Sequence, residues 1–360
     1  MFNRATLAGL ALLALLLLAG CGSSHHTAYV TTPLNNGIAA FRIDDHTGKF
    51  SQIPGSPYPG GLSPNAIVVH PSGKFAYVAN GGGNDLSLFN IQGTFGLIEV
   101  LPRTLTQKNP ASLAIDPGGK FLFVANSSSN NVTIYSIDST TGALSEVPGS
   151  PVAVGFNPVY LTLSPSGQFL YVANAASNTL SGFAVDGSGG LTPVPNSPYV
   201  LTSSVNGQSA GPNWIAVDPA GNLLYVANLL ANNVSGFTVD ANTGALTAIN
   251  GSPFTAGTGP SSLVFDPSSK FLFVANLTSN NVTVFALDNN GVPTQITGSP
   301  YAAGTRPSFI TLDSTGVYLF TGNQGSGNIT TFSFDKSTGQ LTSQATTGIG
   351  SAPTSLFALQ

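Results

Sequence analysis

Charge is scarce in this 360-residue chain: ten Lys and Arg and fourteen Asp and Glu make up 7% of it, against about a quarter of an ordinary soluble domain. With a net charge of −4 and no basic run, a nucleic-acid surface, which needs clustered Lys and Arg, is excluded. A single Cys, Cys21, leaves no pair for a disulfide and no thiolate set for a metal. The four His and two Glu are scattered, no His/Asp/Glu group has metal-ligand spacing, and no phosphate loop or nucleophile motif is present. No metal and no cofactor is therefore expected. Disorder does not follow from the low charge, because 42% of the residues are hydrophobic and recur periodically. The 42 Gly and 25 Pro fit many short strands joined by tight turns.

The first residues read as a targeting segment. Arg4 precedes an apolar run from Ala8 to Leu18 that is too short to span a bilayer comfortably. Leu18-Ala19-Gly20-Cys21 follows and resembles the lipobox of bacterial lipoproteins. The resemblance implies a signal peptide over 1–20, lipidation of Cys21, and export to the cell membrane or outer membrane. Gly22, rather than Asp, after the lipidated Cys favours the outer membrane by analogy. Residues 21–27 are expected to form the anchor and a polar tether, with His25 and His26 as solvated linker.

The rest of the chain repeats. A strand ending in Asn recurs at Asn80, Asn126, Asn174, Asn228, Asn276 and Asn323, with a divergent first copy, AYVTT, ending at Thr32. Successive copies are 48, 46, 48, 54, 48 and 47 residues apart. Before each Asn-strand stands a strand opened by Pro (Pro64, Pro110, Pro158, Pro212, Pro260, Pro307). After it come a third, as in NNVTIYSID, and a fourth that leads into Gly-Ser-Pro, as in ALSEVPGSP. These pieces are four antiparallel strands, A to D in chain order.

The A–B turns, such as DPGGK (116–120), carry reverse-turn residues. The C–D turns, such as DSTTG (138–142), put Asp first and a Gly able to take positive φ last. Strand B is apolar at nearly every position, so both faces of each sheet are buried. Four strands in this length, stacked face to face, predict an all-β, seven-bladed propeller over 28–360. The chain opens with strands B, C and D (28–54) and closes with a lone strand A (352–360). Pairing the two would complete the first blade and leave no sheet edge open, and the closed ring is expected as a monomer.

YVAN and YVTT followed by Asn-Asn-Val-Thr resemble the YVTN-type repeats, and 28–360 is similar to the β-propeller lactonase family, which includes 6-phosphogluconolactonase-like enzymes. The resemblance implies lactone hydrolysis at the face carrying the B–C and D–A loops, with His, Arg and acidic residues placed there. It implies Pro-Arg-His or Pro-His at the start of strand A and a Glu just after the strand B Asn. This sequence departs from that pattern. Pro260 is followed by Ser261 and Ser262, Pro212 by Asn213 and Trp214, and Asn276 by Leu277 and Thr278.

His46 and His70 fall in turns of the opposite face. Asp85, Arg103, Lys108 and Arg306 are the charged groups expected at the mouth. Lactone hydrolysis needs a base to activate water and a donor for the oxyanion, roles for which only Asp85 and Arg306 offer themselves. Asn65, Tyr160, Asn213, Trp214, Phe309 and Arg306 form a polar and aromatic set suited to a sugar-like neutral ligand. Two expectations follow. The shortage of titratable groups favours a membrane-anchored, non-catalytic scaffold binding a small molecule or a protein. The resemblance favours a lactonase with a rearranged site.

Overall fold

The structure, a computed structural model, describes residues 25–93, 96–201, 209–313 and 315–358. Cys21 and the proposed signal peptide lie outside them. The described residues form seven antiparallel sheets arranged as blades. Blade III shows the plan: Pro110–Ile115 (A), Phe121–Asn126 (B), Asn131–Ile137 (C) and Leu144–Glu146 (D), hydrogen-bonded in that order. Strand B fills with apolar side chains because it has a sheet neighbour on each side and a blade on each face. Phe75–Asn80, Phe169–Asn174 and Phe271–Asn276 are buried at every position. Among the described residues no helix is long and apolar enough to cross a membrane.

Closure is as the repeat implies. Ser355–Ala358 pairs antiparallel with the first strand, Thr31 opposite Ser355 and Ala28 opposite Ala358. Val30 and Phe41 of blade I pack with Phe320 and Ile329 of blade VII. The first strand begins earlier than expected, at His25. Its pairing with Gly37–Asp44 runs on to Asp44, and His26 Nδ1 lies 2.5 Å from Asp45 Oδ1. The end of the expected tether therefore belongs to blade I.

The repeated side chains each stitch a particular seam. The Asn ending strand B donates through Nδ2 to two strand C side chains: Asn126 to Asn131 and Thr133, Asn276 to Asn281 and Thr283. The Asn before strand C sits at positive φ, near +57° at Asn130, Asn232 and Asn280. Its Oδ1 accepts a backbone N–H from the next blade, as in Asn157 to Asn130 at 2.9 Å. The Tyr of YVAN donates to the next blade's C–D turn, Tyr77 to the Gly142 carbonyl and Tyr171 to that of Gly244, both at 2.8 Å. In five blades a Ser-Pro, preceded by Gly in four and by Asn196 in one, interrupts strand D, and its Ser Oγ accepts the strand C N–H there, as in Ile134 to Ser150 at 3.0 Å.

The C–D turns give a pH prediction. Hydrogen bonds from turn N–H and hydroxyl groups hold the Asp138, Asp186, Asp240 and Asp335 carboxyls below the usual carboxylate range. Their folded pKa values lie under the unfolded one of about 3.9. The stability they contribute is thus present above that value and lost as pH falls through the folded values. Melting temperature is expected to fall once pH drops below about 4. Thermal melts across that range check it, and a curve flat down to strong acid would contradict it.

Candidate functional site at the mouth of the ring

Strand A, opened by Pro, is the inner strand of each blade, and the second residue after the Pro holds one repeat position near the mouth. The second residues are Ala66, Ser112, Tyr160, Trp214, Ser262, Phe309 and Ser355 around the ring. Strand A bulges just after the Pro, as between Pro158 and Tyr160 and between Pro212 and Trp214. Tyr160 and Trp214, on neighbouring blades, meet there as a stacked pair with ring centroids 3.9 Å apart and planes 25° from parallel.

A cavity of about 160 Å³ opens beside this pair, lined among others by Asn65, Tyr160, Asn213, Trp214, Ser308 and Thr354. Below it runs a channel of about 590 Å³. Tyr160, Trp214, Ala66, Ser112 and Ser355 line both. The Tyr160 hydroxyl makes no hydrogen bond to any described residue. Burial raises its pKa well above the ordinary phenol range, because the phenolate is the form that desolvation penalises. Tyr160 is therefore a protonated donor with no partner among the described residues, on the wall of both cavities.

The amides at the rim are partly committed. Asn65 Nδ2 donates to the Pro110 carbonyl at 3.2 Å and Asn213 Nδ2 to the Ser261 carbonyl at 2.7 Å. Ser261 and Ser308 continue the pattern, with Oγ donating to the carbonyls of Pro307 (2.7 Å) and Pro353 (3.0 Å). These four side-chain links join four of the seven pairs of adjacent blades at the rim.

Four of the expected site residues thus come together: Asn65, Tyr160, Asn213 and Trp214. The others do not. Asp85 takes the strand C position filled elsewhere by Asn131 or Asn281, and its Oδ1 accepts from Asn80 Nδ2 at 2.7 Å. Arg306 is exposed, lines neither cavity, and holds φ +54° with its N–H on Asn280 Oδ1 at 2.8 Å. The two stand on blades II and VII, with blade I between. Phe309, expected at the mouth, is 2% exposed. Its ring lies over Gly322, where other blades carry Ala.

Arg103, also expected at the mouth, pairs with Glu99 at 2.6 Å. His70 stands in an A–B turn on the opposite face. Its Nε2 lies 2.9 Å from the Gly119 carbonyl, so that nitrogen carries the proton and joins blades II and III. Among the described residues no three His, Cys, Asp or Glu side chains gather where a metal could be held. Sequence reasoning missed Ser308, Thr354 and the channel wall. Their signal, an alternation of two counted from each Pro, was available.

A closed ring with an aromatic shelf at one mouth, above a channel along its axis, defines a seven-bladed β-propeller with a candidate site at that mouth. The family model of the seven-bladed β-propeller lactonases matches residues 21–159, 156–252 and 208–357, and the chain belongs to that family. Solved structures share the fold. A protein from Bacteroides fragilis provisionally assigned as a 6-phosphogluconolactonase is 21% identical, with 94% of this chain and 99% of that one covered and a TM-score of 0.82. The periplasmic gluconolactonase of Pseudomonas aeruginosa is 18% identical, with 94% and 99% covered and a TM-score of 0.80. No curated protein matches the sequence.

Proposed function

We propose that the protein hydrolyses a lactone at the mouth, with the ring of the lactone laid against the Tyr160–Trp214 pair. The observation that carries this reading is the unpartnered, protonated Tyr160 hydroxyl beside an aromatic face at the mouth of a lactonase-family propeller. A hydroxide ion adds to the lactone carbonyl carbon, and the Tyr160 O–H donates to the oxygen on which negative charge develops. The ring C–O bond then breaks, the departing alkoxide takes a proton from water, and a hydroxy acid leaves. Among the described residues no His, Asp or Glu lines the mouth cavity, and the sequence 201–211 carries none. The nucleophile is accordingly hydroxide from solvent rather than water activated by a side chain.

The test is hydrolysis of a lactone panel. Tyr160→Phe keeps the stack and removes the donor, so kcat is expected to fall about a hundredfold with little change in KM. Trp214→Ala is expected to raise KM. The parent's rate should climb in proportion to hydroxide across neutral pH, without the limb that a catalytic His or carboxylate would add. Turnover in Tyr160→Phe equal to the parent's would sink the assignment. The lack of a base also favours a second reading, a family member that binds the same ring without turning it over. Lactone binding with no hydrolysis in any variant identifies it.

The reading places the protein in the envelope, held by a lipid on Cys21. In support, His25 begins the first strand at the face opposite the mouth, four residues after Cys21. A lipid there leaves the mouth turned away from the anchoring membrane.

A further inference from the structure

The channel below the shelf has no role in holding a lactone ring, and its chemistry is unlike the mouth's. Two residues beyond each mouth position, strand A presents Val68, Ala114, Thr162, Ala216, Val264 and Thr311 to it. The two hydroxyls in this set turn into the wall, where Thr162 and Thr311 Oγ1 each lie 3.4 Å from the carbonyl of the residue that follows. The one carboxylate lining the channel, Asp116 at its far end, is filled by backbone N–H groups. Lys120 and Phe121 donate to Oδ1 at 2.7 and 2.6 Å and Gly118 to Oδ2 at 3.1 Å.

Among the described residues no Lys or Arg lines either cavity, and the sequence 201–211 contains none. A phosphorylated or carboxylated ligand would meet no cation in the mouth or the channel, and burying its charge there would be costly. Ser112 and Ser164 on the same wall accept backbone N–H groups through Oγ, and an apolar group that displaces poorly held water from such a wall gains affinity. The channel joins the mouth directly through Tyr160 and Trp214, and below them strand A carries the small Thr162 and Ala216.

We infer that the ligand is an uncharged lactone bearing an unbranched alkyl or acyl chain, its ring on the Tyr160–Trp214 shelf and its chain threaded down the axial channel. This rests on the reading of the mouth as a lactone site and gives that site its substrate class. The chain supplies binding energy remote from the reacting carbonyl, and the shelf and the Tyr160 hydroxyl orient the ring.

The experiment measures binding of a homologous series of γ-alkyl lactams to the full chain, read through the fluorescence of Trp214, the only Trp. Lactams keep the ring and carbonyl but resist hydrolysis. Affinity is expected to rise about fourfold per added methylene until the channel is filled. Ala114→Phe and Val264→Phe narrow the channel from different blades, and each should flatten the rise while leaving the shortest lactam unaffected. An affinity independent of chain length overturns the inference, as does a slope unchanged in both variants. If neither variant folds, the wild-type series decides. The two readings fail separately: ring hydrolysis with a flat lactam series keeps the lactonase and removes the chain, and a rising series without hydrolysis does the reverse.

Discussion

Deletion of residues 352–360 is expected to abolish cooperative unfolding at room temperature, an effect far larger than nine residues of a 360-residue chain would ordinarily have. Ser355–Ala358 is the inner strand of blade I, and its partner, the strand beginning at His25, would be left with one ladder unsatisfied along its axis-facing edge. Further links go with it: Thr354 N–H to the Thr31 carbonyl at 3.2 Å, the Thr31 and Thr354 hydroxyls at 2.9 Å, and Ser308 Oγ to the Pro353 carbonyl. Each lost buried hydrogen bond costs about 1 kcal/mol or more, and the partial burial of Leu356 contributes about 1 kcal/mol. The sum reaches several kcal/mol against a total stability of about 5–15 kcal/mol. Blades I and VII would also lose the contact that holds Phe41 against Phe320. Circular dichroism melts and gel filtration read the outcome. A truncated chain melting within a degree or two of the parent would show that the ring does not depend on this strand.

Gly322→Ala should be the most damaging single methyl group in the molecule. A Cβ built at Gly322 falls 1.9 Å from Phe309 Cε1 and 2.0 Å from Cζ. The two residues are cross-strand partners, and Phe309 is 2% exposed. The ring must be displaced to admit the methyl group, so the cost belongs at the upper end of overpacking, about 3 kcal/mol. For a chain of this size that is a fall in melting temperature of about 4 °C. The residue type that other blades carry at the position of Phe309 supplies the control. Phe309→Ser, as at Ser112 and Ser262, combined with Gly322→Ala should recover most of the loss, giving a large favourable coupling. A single variant that melts with the parent, or a double variant worse than the single, would contradict this packing.

The same pair shows how far the sequence could be read. The register of each strand A against its strand B pairs Tyr160 with Ala173, Trp214 with Ala227 and Phe309 with Gly322. An aromatic ring opposite Ala stays at the mouth, and one opposite Gly sinks into the blade. The change from VAN to TGN was visible, but its meaning lay in a partner on another strand. Asp85 is similar. Read alone, it is a loop carboxylate at the mouth; aligned on the repeat, it takes the place of Asn131 and receives the strand B amide. Asn65 and Asn213 line the mouth cavity, and their links to neighbouring carbonyls depend on how adjacent blades approach.

What the sequence determined by itself was the architecture: the number of blades, the strands within each, the turns between them and the closing of the ring by the last strand. These follow from local chemistry that repeats, since Asp and Gly in turns, apolar B strands and paired Asn residues act on near neighbours wherever they occur. What only the tertiary structure decided was the site. Which side chain reaches the mouth, which amide is already spent and which hydroxyl is left unpartnered depend on contacts between residues some fifty apart in the chain, where small differences in packing select one of two directions for the same position of the repeat. The apolar channel is likewise a product of the ring, because its wall takes one or two residues from each blade and no single repeat contains it.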